Sequence, residues 1–121
     1  MYELTITGHF DAAHALAGYP GECRNLHGHT WDVEATIAGT DLDDVGIVYD
    51  FKRLKEDVAT VLDAYDHVYL NDIPPFDEQN PTAENLARVI FERLGDIVGA
   101  GVTVTEVAVW ESPIAKITYR G

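Results

Sequence analysis

The sequence predicts an α+β fold: a four-stranded antiparallel sheet, with two helices inserted between strands 2 and 3 and packed on one face. Three observations carry this. Residues 2–14 and 27–37 alternate apolar and polar side chains, the period of a half-buried strand. Residues 51–62 and 83–98 repeat their apolar side chains at helical spacing. The C-terminal part returns to β-branched alternation in 102–111 and 114–119. Strand, strand, helix, helix, strand, strand is the order of a sheet covered by one helical layer. At 121 residues the chain has the length of one domain, 1–121, with one core.

In the first strand Leu4, Ile6, Phe10, Ala12 and His14 share one parity, and Glu3, Thr5, Thr7 and Asp11 the other. His14 thus ends an apolar face, whereas His9 falls on the polar one as a surface histidine. Gly18, Pro20 and Gly21 punctuate a loop over 15–26, with Cys23 near its end. The second strand sets His27, His29, Trp31, Val33, Ala35 and Ile37 on one face. Antiparallel pairing of the two strands would bring His14 beside His27 and His29.

An Asp-rich turn spans 39–46. Asp50 reads as the cap of the first helix, whose apolar positions are Phe51, Leu54, Val58, Val61 and Leu62. Three prolines make 71–81 irregular. Asn80 and Pro81 then read as the cap and first position of the second helix. Its stripe is Ala83, Leu86, Ala87, Ile90, Leu94 and Val98, and Gly99–Gly101 ends it. The third strand closes on Trp110-Glu111, Ser112-Pro113 turns the chain, and 114–119 forms the last strand. So small a sheet leaves edges to be paired, which predicts association through them.

Charge excludes several function classes. Twenty-one acidic residues against eight basic ones give a net charge of −13 and a pI near 4.4. Such a surface repels nucleic acid and anionic membrane, since both need a basic footprint. The acids are dispersed and lysine is scarce, which predicts a solvated face adapted to a salt-rich cytoplasm. No apolar run approaches a membrane span, and Met1 leads directly into a strand pattern without a signal peptide. One cysteine permits no internal disulfide and fits a reducing compartment. The sequence therefore predicts a soluble cytoplasmic protein.

The chemistry concentrates in Cys23-Arg24-Asn25-Leu26-His27-Gly28-His29. Period-2 alternation sends His27 and His29 to one face, and His14 supplies a third imidazole. Three histidines suit Zn²⁺ and leave a coordination position open, the arrangement of a catalytic rather than a structural zinc. A lone His-x-His matches by chance often, and the correct face of His14 is what raises this one. Cys23 is either a small buried hydrophobe or, beside a dication, a thiol of lowered pKa fit to act as a base. Asp66-His67 offers a second acid–base pair, or a helix-end histidine beside an acid. Glu111 shares parity with Val107 and Val109, and an inward glutamate fits a ligand rich in N–H donors.

These motifs together resemble the 6-pyruvoyltetrahydropterin synthase and 6-carboxytetrahydropterin synthase group, which has the tunnelling fold. The resemblance rests on Phe10-Asp11-Ala12-Ala13-His14, Cys23-x3-His27-Gly28-His29, Val48-Tyr49-Asp50-Phe51, Asp66-His67-x2-Leu70-Asn71, Pro81-Thr82-Ala83-Glu84-Asn85 and Trp110-Glu111. It runs almost the whole length. It implies that His14, His27 and His29 bind Zn²⁺, and that Cys23 is the general base. It makes His67 and Asp66 the second proton-transfer pair. Glu111 becomes the anchor for the guanidine-like edge of a pterin, helped by Thr82 and Glu84. It also implies a homo-oligomer, a trimer or dimer of trimers, with active sites between subunits.

The spacing Cys-x3-His-Gly-His is similar to the 6-carboxytetrahydropterin branch, which serves 7-deazaguanine (queuosine and archaeosine) biosynthesis. Pyruvoyl-forming members place the cysteine further upstream. Folate-branch relatives carry a glutamate where this chain has Arg24. The implied substrate is 7,8-dihydroneopterin triphosphate, and Arg24 and Lys116 are candidates to meet its phosphates. A pyruvoyl-type or side-chain-cleaving enzyme is the alternative within this family. A non-catalytic zinc- or pterin-binding module is the alternative outside catalysis.

Overall fold

The computed structural model describes residues 1–18, 21 and 25–121. Its elements run β1 (Tyr2–His14), β2 (His27–Gly39), α1 (Phe51–Asp63), β3 (Val68–Tyr69), a 3₁₀ turn (Leu70–Asp72), α2 (Ala83–Ile97), β4 (Thr103–Ser112) and β5 (Ala115–Arg120). The sheet order is β3-β1-β2-β4-β5, with β3 parallel to β1 and the other neighbours antiparallel. The α+β class and the four long strands are as the alternation predicts. The fifth strand, β3, corrects the expected count. Two residues are too few to carry a periodic signal, and β3 exists only because it lies against Ala12 and Ala13.

Both helices cover one face. Leu54, Val58, Val61 and Leu62 of α1 and Leu86, Val89, Ile90 and Leu94 of α2 join one core with Phe10, Trp31, Val33, Ile37, Val107 and Val109 of the sheet. α1 lies so close to β1 that a Cβ on Gly8 would stand 3.0 Å from a Leu62 methyl. The opposite face is polar, with Thr5 and Thr36 hydroxyls bonded at 2.8 Å and His9 exposed as expected. Beyond Ala12 and Ala13, β1 has a partner strand on one side only among the described residues, as has β5.

Asp50 caps α1, its carboxylate accepting from Lys52 N–H at 2.9 Å. Phe51 is no part of the buried stripe: it is 57% exposed, because the first helical position turns away from the core here. The cap of α2 is also corrected. It is Thr82, whose Oγ1 accepts from Asn85 N–H at 3.1 Å, and not Asn80. The Asn80 side chain is bonded instead to Ala17.

Candidate metal centre and active site

Register places the three histidines. In the β1–β2 ladder His14 faces His27, and Ala12 faces His29, so all three rings project from neighbouring positions toward the helix side. Their centroids lie 4.4 Å (His14–His27), 4.7 Å (His27–His29) and 5.1 Å (His14–His29) apart. Trp31, fully buried, backs the rings of His14 and His29 at 4.9 and 5.1 Å. β4, the next strand over, contributes Glu111. Its Oε1 lies 3.3 Å from His29 Nε2 and 3.6 Å from His14 Nε2. One ligand atom from each of the four residues falls within 4.8 Å of all the others.

The hydrogen bonds decide what this group can hold. His14 Nδ1 lies 2.7 Å from the Pro81 carbonyl oxygen, and His27 Nδ1 lies 2.7 Å from that of Asn25. A carbonyl oxygen only accepts, so each Nδ1 carries the proton. In neutral rings so oriented, both Nε2 atoms carry lone pairs, and they face each other at 2.9 Å with a carboxylate beside them. Among the described residues, the buried His29 Nε2 has no hydrogen-bond partner. Lone pairs packed this closely repel unless a cation lies among them. Burial works against a proton in that role: loss of hydration is the main cause that pulls both His14 and His29 below the ordinary imidazole value. Three imidazole nitrogens and a nearby carboxylate are a donor set that fits a divalent metal such as zinc. Carbonyls on the far ring nitrogens are the usual outer support of such ligands.

A second group sits at the β1 edge. Asp66 Oδ1 accepts from Asp11 N–H at 3.0 Å and lies 2.9 Å from His67 Nδ1. The Asp11 N–H, then the His67 ring, hold the Asp66 carboxyl below the usual carboxylate range. His67 N–H in turn donates to the Asp11 carbonyl at 2.6 Å, which holds His67 in a left-handed conformation with φ 56°. The His67 side chain is 78% exposed. Asp11, unassigned by the sequence reading, belongs to this group, and its carboxylate accepts from the Thr30 hydroxyl.

The structure therefore brings His14, His27, His29 and Glu111 together and pairs Asp66 with His67, as two separate groups. Thr82 is half-buried at the start of α2, and Glu84 is exposed in its first turn. Lys116 lies over the Trp110 ring at 5.3 Å. Cys23 and Arg24 lie outside the described residues. The sequence reading misses the Pro81 and Asn25 carbonyls, and no residue pattern could reveal them, because every residue carries a carbonyl.

Comparison with known proteins agrees with this architecture. The family model described as 6-pyruvoyl tetrahydropterin synthase matches residues 3–121. The 6-carboxy-5,6,7,8-tetrahydropterin synthase of Bacillus subtilis is 35% identical over 127 residues, covering 98% of this chain and 85% of that protein. The dihydroneopterin monophosphate aldolase of Pyrococcus furiosus is 38% identical over 102 residues, covering 84% of this chain and 82% of that one. The solved 6-pyruvoyl tetrahydropterin synthase of Caenorhabditis elegans superposes with a TM-score of 0.89 at 30% identity, covering 99% of this chain and 95% of that one. A match this complete, over a chain whose two side-chain groups fall on the quoted motifs, means that this protein belongs to the 6-pyruvoyl tetrahydropterin synthase family.

Proposed function

We propose that the protein is a zinc-dependent 6-carboxy-5,6,7,8-tetrahydropterin synthase, a lyase of 7-deazaguanine (queuosine/archaeosine) biosynthesis. It would convert 7,8-dihydroneopterin triphosphate and water into 6-carboxytetrahydropterin, acetaldehyde and triphosphate. The observation that carries the metal part is the pair of Nε2 lone pairs of His14 and His27, turned toward each other by carbonyls on both Nδ1 atoms. The choice of branch is supported by the Cys23-x3-His27 spacing and by the Bacillus subtilis relative.

In this reading His14, His27 and His29 hold the ion, which supplies a Lewis acid for the oxygens of the substrate side chain. Glu111 accepts hydrogen bonds from the N–H groups of the pterin edge and fixes its orientation, with Thr82 and Glu84 at the helix start as helpers. Cys23 takes a proton from the side chain, and His67, steadied by Asp66, moves a proton on the other side. The metal group and the His67 group are separate within one chain. Sites shared between copies of a homo-oligomer, a trimer or dimer of trimers, would join them, and the edges of β1 and β5, open among the described residues, suit that assembly. Arg24 and Lys116 are the candidates to receive the triphosphate. The acidic surface fits a salt-rich cytoplasm, and no helix among the described residues is long and apolar enough to cross a membrane.

A second reading is favoured by the Pyrococcus furiosus relative, named as an aldolase: cleavage of the pterin side chain to a different product. The deciding experiment incubates zinc-loaded protein in high salt with 7,8-dihydroneopterin triphosphate and identifies the products by mass. Carboxytetrahydropterin with acetaldehyde, absent with Cys23→Ala, supports the synthase. A hydroxymethyl or pyruvoyl product moves the protein to another branch. Zinc uptake without turnover makes it a binding module.

A further inference from the structure

Two asparagines have no part yet in the site: Asn71, which ends the motif Asp66-His67-x2-Leu70-Asn71, and Asn80, which directly precedes Pro81-Thr82-Ala83-Glu84-Asn85. The Asn71 amide makes two bonds to one residue: its Oδ1 accepts from Ala15 N–H at 3.0 Å, and its Nδ2 donates to the Ala15 carbonyl at 2.9 Å. Asn80 does the same to Ala17, at 2.9 and 2.8 Å. A carboxamide has the donor and acceptor of a peptide group, so each side chain imitates a neighbouring strand. The two clamped residues are two apart, Ala15 directly after β1 and Ala17 in the turn that follows. The edge that begins with Val68 on Ala12 and Tyr69 on Ala13 is thus continued past the end of β1 by Asn71 on Ala15 and Asn80 on Ala17.

What this continuation reaches is the metal centre. His14 directly precedes the clamped segment, and Pro81 directly follows Asn80. The Pro81 carbonyl accepts from His14 Nδ1, which closes a ring: His14 along the chain to Ala17, across to Asn80, on to Pro81 and back to the His14 imidazole. Asn85 Nδ2 donates to the Asn80 carbonyl at 2.8 Å and ties the ring to the first turn of α2. We infer that Asn80, with Asn71 in support, is a positioning residue of the metal centre: it holds the Pro81 carbonyl where it fixes the tautomer and direction of the His14 ring. This also explains why Asn80 does not cap α2. Its amide is committed to Ala17, and Thr82 takes the cap.

The inference rests on the metal reading above, and its test separates the two. Full-length metal-free protein is titrated with Zn²⁺ against a chromophoric chelator. Co²⁺ is added to a separate metal-free sample as a spectroscopic stand-in, and its visible absorption is recorded. Loss of an outer-shell partner of a ligating histidine weakens metal binding by roughly 10- to 100-fold. Asn80→Ala displaces that partner without removing it, so it should raise the zinc Kd by up to about 10-fold and change the Co²⁺ absorption, with far-UV circular dichroism unchanged. Asn80→Asp keeps the acceptor for Ala17 N–H but loses the donor, and should fall between. Asn71→Ala, one step further from Pro81, should show a smaller loss. A folded Asn80→Ala with wild-type zinc Kd and Co²⁺ spectrum overturns the inference alone; if that variant does not fold, Asn80→Asp is read by the same criterion. Failure of the unaltered protein to take up either ion overturns the metal reading, and this inference with it.

Discussion

Glu111 Oε1 stands 3.3 Å from His29 Nε2, reaching across from β4 to a histidine of β2 with its side chain one-third exposed (34%). The carboxylate therefore borders the three histidines and still faces outward, where a ligand can meet it. If its role is to accept N–H groups of a pterin, the negative charge matters more than the shape. Glu111→Gln keeps the shape, removes the charge and puts a donor where an acceptor stood. Hydrogen bonds to a charged group are worth about 1.5–3 kcal/mol each, so kcat/KM should fall roughly 10- to 150-fold. The three histidines remain, so zinc content should not change. Loss of zinc with the variant would instead make Glu111 a metal ligand.

Acidification should act in two separate windows. His14 and His29 are held below the ordinary imidazole value of 6.5, chiefly by burial. Between 6.5 and their lowered values the unfolded chain binds more protons than the folded one, so stability rises with pH across that interval. Metal-free protein should lose stability as the pH falls below about 6.5. Asp66 acts lower: its depressed carboxyl contributes stability present above 3.8 and lost as the pH falls through its folded value. Denaturant midpoints over a pH series, in high salt, will show both windows. His29→Gln should flatten the upper one and leave the lower one; an unchanged upper slope would remove His29 from this account.

The helix start separates a structural from a binding role at one residue. Thr82 Oγ1 accepts from Asn85 N–H, the bond that caps α2. Thr82→Ala should cost about 1 kcal/mol of stability, and Thr82→Ser should restore most of it. If the hydroxyl also meets the pterin, Thr82→Ala raises KM as well, measured below the temperature where the variant melts. A lowered midpoint with unchanged KM would confine Thr82 to the cap.

Much of this site was legible because a strand's period is the simplest pattern a sequence can hold. Parity alone puts His14, His27 and His29 on one face of β1 and β2, and the observed register sets His14 opposite His27. Parity likewise turns Glu111 inward with Val107 and Val109. What parity cannot reach is anything held by backbone atoms or by tertiary context. β3 is two residues long and follows a left-handed His67 whose backbone is bound to Asp11. The Pro81 and Asn25 carbonyls leave no mark in the sequence. Asn80 looks like a helix cap by type and position, yet Ala17, some sixty residues away in sequence, claims its amide. Phe51 fits the helical stripe on paper but stands at its first position, where the core does not reach.

The separation of the two side-chain groups leads to the test of assembly. Asp11 and His14 have opposite parity on β1, so the Asp11–Asp66–His67 group and the His14 imidazole belong to opposite sides of one strand end. His67 is exposed, and among the described residues β1 has no second long neighbour near it. If each active site takes its metal centre from one copy and its His67 from another, two inactive variants should complement each other. His67→Ala and His29→Gln are each expected to lose activity, by roughly 10²- to 10⁴-fold where a proton-transfer group is removed. Mixed in equal amounts, unfolded and refolded together, they assort into oligomers in which roughly a quarter of the sites receive both intact halves, by random pairing in a symmetric ring. Activity should return to about that fraction of the unaltered protein. Sites contained within one chain predict no recovery at any ratio, since every chain then carries one lesion. Refolding each variant alone supplies the baseline, and sedimentation of the mixture confirms that the copies associate.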